Sequence, residues 1–228
     1  MTSIYLVLQA DYENISLSLW KNTIHLTTKI VHKMHACQQL MPSMVQLLAE
    51  HSLNFKDLSC IVVNQGPAPF TTLRIVITTA NALNFAHKTP LIGIDALQCF
   101  AQEFESKNGI FIIILNAFTQ DAYFAIVNNE RPQKPFETGC ENNELLLQKL
   151  TARFPDQTLT FIGNGAEIFK ENIKKYFKER ALFLEQNPHY TNLEQTAKIG
   201  YQHWIAQEGL TDTLLPLYLK IQTYKMST

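Results

Sequence analysis

At 228 residues, 46% of them apolar, the chain is long enough for one two-lobed unit, or two small packed domains, with a substantial core. Lys and Arg number 19 against 20 Asp and Glu, and the net charge of -1 argues against a protein that grips RNA unaided, since neutralising phosphates takes a clear cationic excess. The four cysteines, Cys37, Cys60, Cys99 and Cys140, form no close pair, the pattern of reduced cytoplasmic thiols rather than of a zinc knuckle or a disulfide frame.

In chain order, Met1 to Leu8 has no basic region before its apolar residues, and the longest apolar run, Ile110 to Leu115, is too short to cross a bilayer. Neither export nor a membrane anchor is expected. Strands are predicted at Ile4 to Gln9, Ile15 to Trp20 and Thr23 to Ile30, then a helix from Val31 to His51. Inside that helix Pro42 lacks an amide donor, which predicts a kink or a fresh start near Gln38 to Met41. A strand at Ile61 to Val63, a helix from Thr72 to His87, a strand at Leu91 to Ile94 and a helix to about Lys107 follow. Three strands, then helix and strand in alternation, is the order of a ribonuclease-H-like lobe. The second half begins in the same way with Ile110 to Asn116 and Tyr123 to Asn128. It continues with a helix over Asn143 to Phe154, a strand at Leu159 to Ile162, a helix over Ala166 to Phe177, a strand at Ala181 to Leu184 and a helix over Leu193 to Gln207. The repetition predicts a duplicated lobe, with residues 1-107 and the tail 208-228 in one and 108-207 in the other. The basic run Lys170, Lys174, Lys175, Lys178 and Arg180 is interleaved with Glu167, Glu171 and Glu179, as on a solvated helix face.

The turn after Ile61 to Val63 reads Asn64-Gln65-Gly66-Pro67-Ala68-Pro69-Phe70-Thr71-Thr72-Leu73-Arg74-Ile75. Strand, Gly/Pro turn and helix together make an α/β crossover. Thr71 or Thr72 can cap the helix, and amides at such a start can hold phosphate. A phosphate cradle, however, depends on glycines that let the backbone approach, and only Gly66 is present, so a plain structural turn is the favoured reading. Gly163-Asn164-Gly165, also between strand and helix, can be read as an anion turn or as a sharp connection. Ser16, Ser43 and Thr71 have no evident His and Asp partners for nucleophilic catalysis.

The 64–75 segment resembles the Gly-Pro-Gly-Ser-Phe-Thr-Gly-Leu-Arg-Ile-Gly signature of the bacterial TsaB (YeaZ) family, with Ala68, Pro69, Thr72 and Val76 standing where the family has Gly, Ser, Gly and Gly. Further matches run in family order: His35 with Gln39-Leu40-Met41-Pro42, Pro90-Leu91-Ile92-Gly93-Ile94, Asn116-Ala117 with Asp121 to Ala125, Gly163 to Ala166, and Pro216-Leu217-Tyr218-Leu219-Lys220. The resemblance implies two lobes of actin and sugar-kinase type, mixed sheets flanked by helices. It also implies a non-catalytic subunit of tRNA threonylcarbamoyladenosine formation, which dimerises with and stabilises the transferase TsaD and helps recruit the ATPase TsaE. Contact with tRNA is then indirect, and when TsaD is missing both a homodimer through the same helices and a monomer stay open.

The departures point the same way. The first strand ends in Gln9-Ala10-Asp11 where the family has Asp-Thr-Ser, and a neutral amide is a poor ligand for a hard cation. Asn116 and Phe118 replace an acid and a base in the second half. Asp95 to Cys99 stand where TsaD-like proteins carry a histidine pair, and His32 with His35 lack a nearby third ligand, so no metal, cofactor or catalytic residue is assigned. No His-Glu-x-x-His helix supports a protease reading. The alternative function, a sugar-kinase-like ATPase or phosphotransferase using an inter-lobe cleft, would need a carboxylate at Gln9 or Asn116.

What remains is a surface. The first helix carries a broad apolar stripe and the second is apolar nearly all round, more than one sheet-facing side requires. These helices are expected either to bury each other or, as the resemblance implies, to bind TsaD. The candidate contacts are Met34, His35, Leu40, Met41, Met44, Leu48, Leu73, Arg74, Ile77 and Ala80, where methionines suit an adaptable contact.

Overall fold

The computed structural model describes residues 2–220. The strands β1 (Ile4–Ala10), β2 (Asn14–Lys21) and β3 (Ile24–His32) form an antiparallel meander. A 3-10 turn, Lys33–His35, leads into α1 (Ala36–Ala49), followed by β4 (Cys60–Asn64), α2 (Phe70–His87), β5 (Leu91–Ile94) and α3 (Ala96–Gln102). A second series comprises β6 (Ile110–Asn116), β7 (Asp121–Asn128), β8 (Glu137–Asn142), α4 (Asn143–Arg153), β9 (Leu159–Ile162), α5 (Asn164–Ile168), α6 (Lys170–Phe177) and β10 (Ala181–Phe183). Last come α7 (Leu193–Ala206) and β11 (Leu210–Thr211).

The two sheets share one plan. The first has the order β11-β5-β4-β1-β2-β3 and the second β10-β9-β6-β7-β8. In each, the first strand pairs antiparallel with the second and parallel with the fourth. This is the ribonuclease-H-like order, twice over, with helices flanking each mixed sheet. The central strands β1 and β6 are buried on both faces, so they read as unbroken apolar runs. In the first lobe, Leu6, Leu8, Ile61 and Val63 face α1 and α2, while Tyr5, Val7, Cys60 and Val62 face α7.

The described chain separates into two units, one of residues 2–99 and Asn192–Leu217, the other of Phe100–Thr191 with residues 218–220. The expected boundaries therefore need correcting: α7 belongs with the first lobe, not the second. Ala197 and Ile199 of α7 join the cluster of Tyr5, Val7 and Val62, and the Tyr5 hydroxyl donates to the Ala197 carbonyl at 3.4 Å. The tail is likewise divided after Leu217, whose amide donates to the Gln65 carbonyl. Residues 221–228 of the expected tail lie outside the described residues.

Several element boundaries differ from expectation. The first helix starts at Ala36, because Ile30, Val31 and His32 stay in β3, paired with Ser16, Ile15 and Asn14. Val31 fits both a helical stripe and a strand, and its burial on the sheet decides for the strand. Pro42 lies inside α1, which is a single helix. The predicted helix over Ala166 to Phe177 is two, α5 and α6, meeting at Phe169. Both β8 (ETGCEN) and the two-residue β11 lack any apolar alternation and were not legible.

Candidate functional site

Helix α2 starts at Phe70 with Pro69 as N-cap and no side-chain cap, so neither Thr71 nor Thr72 plays the capping role read from the sequence. The loop before it is consumed by the fold. The Gln65 amide donates to the Ile94 carbonyl at 2.8 Å, and the Gly66 amide to Asn64 Oδ1 at 3.0 Å. Gln65 Nε2 donates to the Leu215 carbonyl at 2.7 Å. Gly66 has φ +95, and a Cβ there would meet Leu73 at 2.8 Å, so the glycine serves the turn. The Gln65 and Gly66 amides are thus tied into the connection between β4 and α2.

The positions at which a kinase-like cleft would carry carboxylates are occupied by structural ties. Gln9 is buried, and its Oε1 accepts from Thr196 Oγ1 at 2.6 Å and from Asn64 Nδ2 at 3.3 Å, linking β1 to α7 and β4. Asp11 Oδ1 accepts from the amides of Glu13 and Asn14, both at 2.7 Å, and so closes the β1–β2 turn. Asn116 Oδ1 accepts from the Phe118 amide at 2.9 Å. In the second lobe the Gly163 amide donates to Asn187 Oδ1 at 2.9 Å, so this turn too is a sharp connection. Among the described residues no three His, Cys, Asp or Glu side chains are placed to share a metal ion. The His32 and His35 rings lie 6.3 Å apart.

Asp95 stands where the transferases carry histidine, and it caps α3, accepting from the amides of Leu97 (2.8 Å) and Gln98 (3.1 Å). Burial pushes its carboxyl above the ordinary value of 3.8, with those two bonds opposing. A raised acid pKa means that the folded chain favours the protonated form. The stability this gives is present below pH 3.8 and is lost as pH rises through the folded-state value. Asp95→Asn removes that loss. In urea titrations at a series of pH values, the stability difference between variant and native chain is expected to move in the variant's favour as pH rises across this range; a pH-independent difference would refute the assignment.

The ten predicted contact residues divide by burial. Leu40, Met44, Leu48, Leu73, Ile77 and Ala80 point into the first lobe's own core, against Leu6, Leu8, Leu17 and Val63. To this extent the helices bury themselves, and the contact set is corrected: a partner cannot touch these six in the folded lobe. Met34, His35, Met41 and Arg74 are exposed, Met34 by 77%. Residues outside the predicted set complete the outer surface: Val45 on α1, and Phe70, Ala82, Phe85 and Ala86 on α2, with Phe85 80% exposed. Arg74 lies over the Phe70 ring at 3.7 Å, within cation–π range. Both helices cover the same side of the first sheet and contact each other. The signal for the missed residues was present in the α2 periodicity. What the sequence could not tell was which side of the helix met the sheet.

Among the described residues no helix is long and apolar enough to cross a membrane.

Comparison with known proteins follows the same lines. A family model, TsaD: tRNA N6-adenosine threonylcarbamoyltransferase, matches residues 28–212. The tRNA threonylcarbamoyladenosine biosynthesis protein TsaB of Buchnera aphidicola subsp. Schizaphis graminum is 25% identical over 189 residues, 80% of this chain and 89% of that one. TsaB of Buchnera aphidicola subsp. Acyrthosiphon pisum is 26% identical over 128 residues, 55% of this chain, and the match spans little more than half, 58%, of that protein. Among solved structures, YeaZ from Pseudomonas aeruginosa superposes with a TM-score of 0.71 at 21% identity, over 95% of this chain and 100% of that one, a likeness of fold.

Proposed function

The chain belongs to the TsaB (YeaZ) family, within the TsaD-type proteins, and from that premise we propose that it is a non-catalytic subunit of tRNA threonylcarbamoyladenosine formation. Its role is to dimerise with a TsaD-like transferase, hold it in its active form, and offer the pair to a TsaE-like ATPase. Contact with tRNA runs through the partner.

The observation that carries this reading is the outer face of α1 and α2. Met41, Val45, Phe70 and Phe85 on two neighbouring helices of one lobe, with Met34 in the turn that leads into α1, are large apolar side chains exposed to water. Together they leave two contacting helices with apolar side chains on the outside, a surface that a partner's helices can cover. Six of the residues first expected at the contact form the layer beneath, which fixes the helices but is not itself touched. Without the partner, the same face is suited to self-association. The carboxylate-free positions at Gln9 and Asn116 accord with an assembly role.

Calorimetric titration with a TsaD-type subunit from the same source is the test. The native chain is expected to bind, and the double variant Met41→Asp, Val45→Asp to bind about 100-fold more weakly. Both positions are exposed, so the variant's unfolding free energy should stay within about 0.5 kcal/mol of native. Native binding that survives both charges would move the contact elsewhere, and no native binding would end the proposal.

A further inference from the structure

The segment that follows α7 is fastened to α2 by side chains. From β11 onward, residues 211–217 run back along the helix as a strap, meeting Asn84 first, Asn81 one turn earlier, and then Gln65 in the loop before it. Asn81 makes both bonds of its carboxamide with one strap residue: Nδ2 donates to the Leu214 carbonyl at 3.0 Å, and Oδ1 accepts from the Leu214 amide at 2.9 Å. A side chain here does what a neighbouring strand would do. Asn84 is 4% exposed, and its Nδ2 donates to the Thr89 carbonyl at 2.9 Å and to Asp212 Oδ1 at 3.3 Å. Gln65 holds the far end, its Nε2 donating to the Leu215 carbonyl and its carbonyl accepting from the Leu217 amide. Leu214, the one strap residue that is buried, joins the core beneath α2.

Two asparagines three apart inside a helix cost helix propensity, because their carboxamides compete for the backbone. In α2 both are spent on the strap and on the turn after the helix. The side they occupy adjoins the one that bears Ala82, Phe85 and Ala86, the exposed residues near the end of α2. A helix end is where the hydrogen-bond ladder is thinnest, since the last four carbonyls have no partner within the helix, and such turns open most readily. We propose that the strap is a positioning element for the α1–α2 face: by holding the C-terminal half of α2, it keeps Phe85 in one place for a partner's helices. The proposal rests on the reading of that face as the contact with a TsaD-like subunit. Asn81 and Asn84 act through the helix rather than on the partner, leaving less of the face to be ordered on binding. The consequence is kinetic. A face that is competent only part of the time is met productively less often, whereas a lost contact speeds dissociation.

Asn81→Leu, which removes both bonds to Leu214, is the test. Hydrogen exchange read by mass spectrometry is expected to rise about tenfold in peptides covering 81–87, with Ala36–Ala49 protected as in the native chain. Binding kinetics with a TsaD-type subunit from the same source should show association slowed roughly fivefold and dissociation unchanged, whereas Phe85→Ala should speed dissociation. Asp212→Ala, at an exposed position that leaves the core untouched, removes the tie to Asn84 and should give the same pattern at about twofold. A merely structural tie would loosen the lobe as a whole, raising exchange in α1 and α2 alike and leaving association native. That result overturns the proposal, as does native exchange over 81–87 in both variants. Faster exchange confined to 81–87 with native association overturns it too, since the strap would then order the helix without serving the face. If the native chain itself fails to bind, the reading of the face falls and the proposal with it; native binding with unaltered variants ends the proposal alone.

Discussion

Met44→Asp is expected to unfold the first lobe or to remove about 4 kcal/mol or more of its stability, the cost of an unpaired carboxylate in an apolar core. Met44 has no exposed surface and sits among Leu40, Leu47, Leu48, Leu8 and Leu17 with no cation in that cluster to pair with. The acid would either protonate or pull α1 off the sheet. Its neighbour Met41, on the same helix, is 40% exposed, and Met41→Asp should change stability by no more than about 0.5 kcal/mol. Urea denaturation followed by far-ultraviolet circular dichroism measures both. The contrast separates the layer that builds the face from the layer that is the face: equal stability for the two variants would mean that α1 is turned differently on the sheet. A partner-binding assay on Met44→Asp alone would confound folding with recognition, so the recognition test uses Met41 and Val45.

Gly163→Ala should cost about 3 kcal/mol and act on the second lobe. The backbone there has φ +100, outside the region that an L side chain tolerates, and a Cβ would lie 2.3 Å from the Ile114 carbonyl oxygen. That oxygen is main chain of the central strand β6 and cannot swing aside. Asn187 bonds both the amide and the carbonyl of Gly163, so the turn cannot relax without losing them as well. Denaturation read from an aromatic signal of each lobe checks this, since both Trp20 and Trp204 lie in the first lobe while the second carries only Tyr and Phe among its described residues. An early transition in the tyrosine signal is expected, over and above the share from Tyr5, Tyr12 and Tyr201 of the first lobe, with the tryptophan transition unmoved. A variant as stable as native would show that the turn has freedom these contacts deny it.

Much of this architecture was legible because β1, β4, β6 and β9 are central strands that must be apolar on both faces, and helices of ten or more residues keep their period over several turns. The duplication was legible for the same reason. The weaker readings failed where local pattern and tertiary context part. Strand β8 is held by its pairing with β7, not by apolar alternation, so its sequence gives no sign of a strand. Val31 suits two periods, and pairing with Ile15 settles it. The partner face was legible only as a pair of over-apolar helices. Which of their residues look outward depends on the sheet beneath, so the helical pattern alone offers Met44 and Ile77 as contacts, whereas Phe70 and Val45 are the exposed ones.

Placing α7 and β11 in the first lobe has a consequence for how a ribosome delivers the chain. Residues 100–191 emerge as one continuous stretch that contains every strand and helix of the second sheet, whereas the first sheet, although synthesised earlier, must wait for Asn192–Leu217 to cover the side bearing Tyr5, Val7 and Val62. The earlier half therefore cannot complete its packing until after residues 100–191 have been made. Gln9, near the start of the chain, can receive its bond from Thr196 only once 187 further residues have been made, so this tie joins the first strand to one of the last helices synthesised.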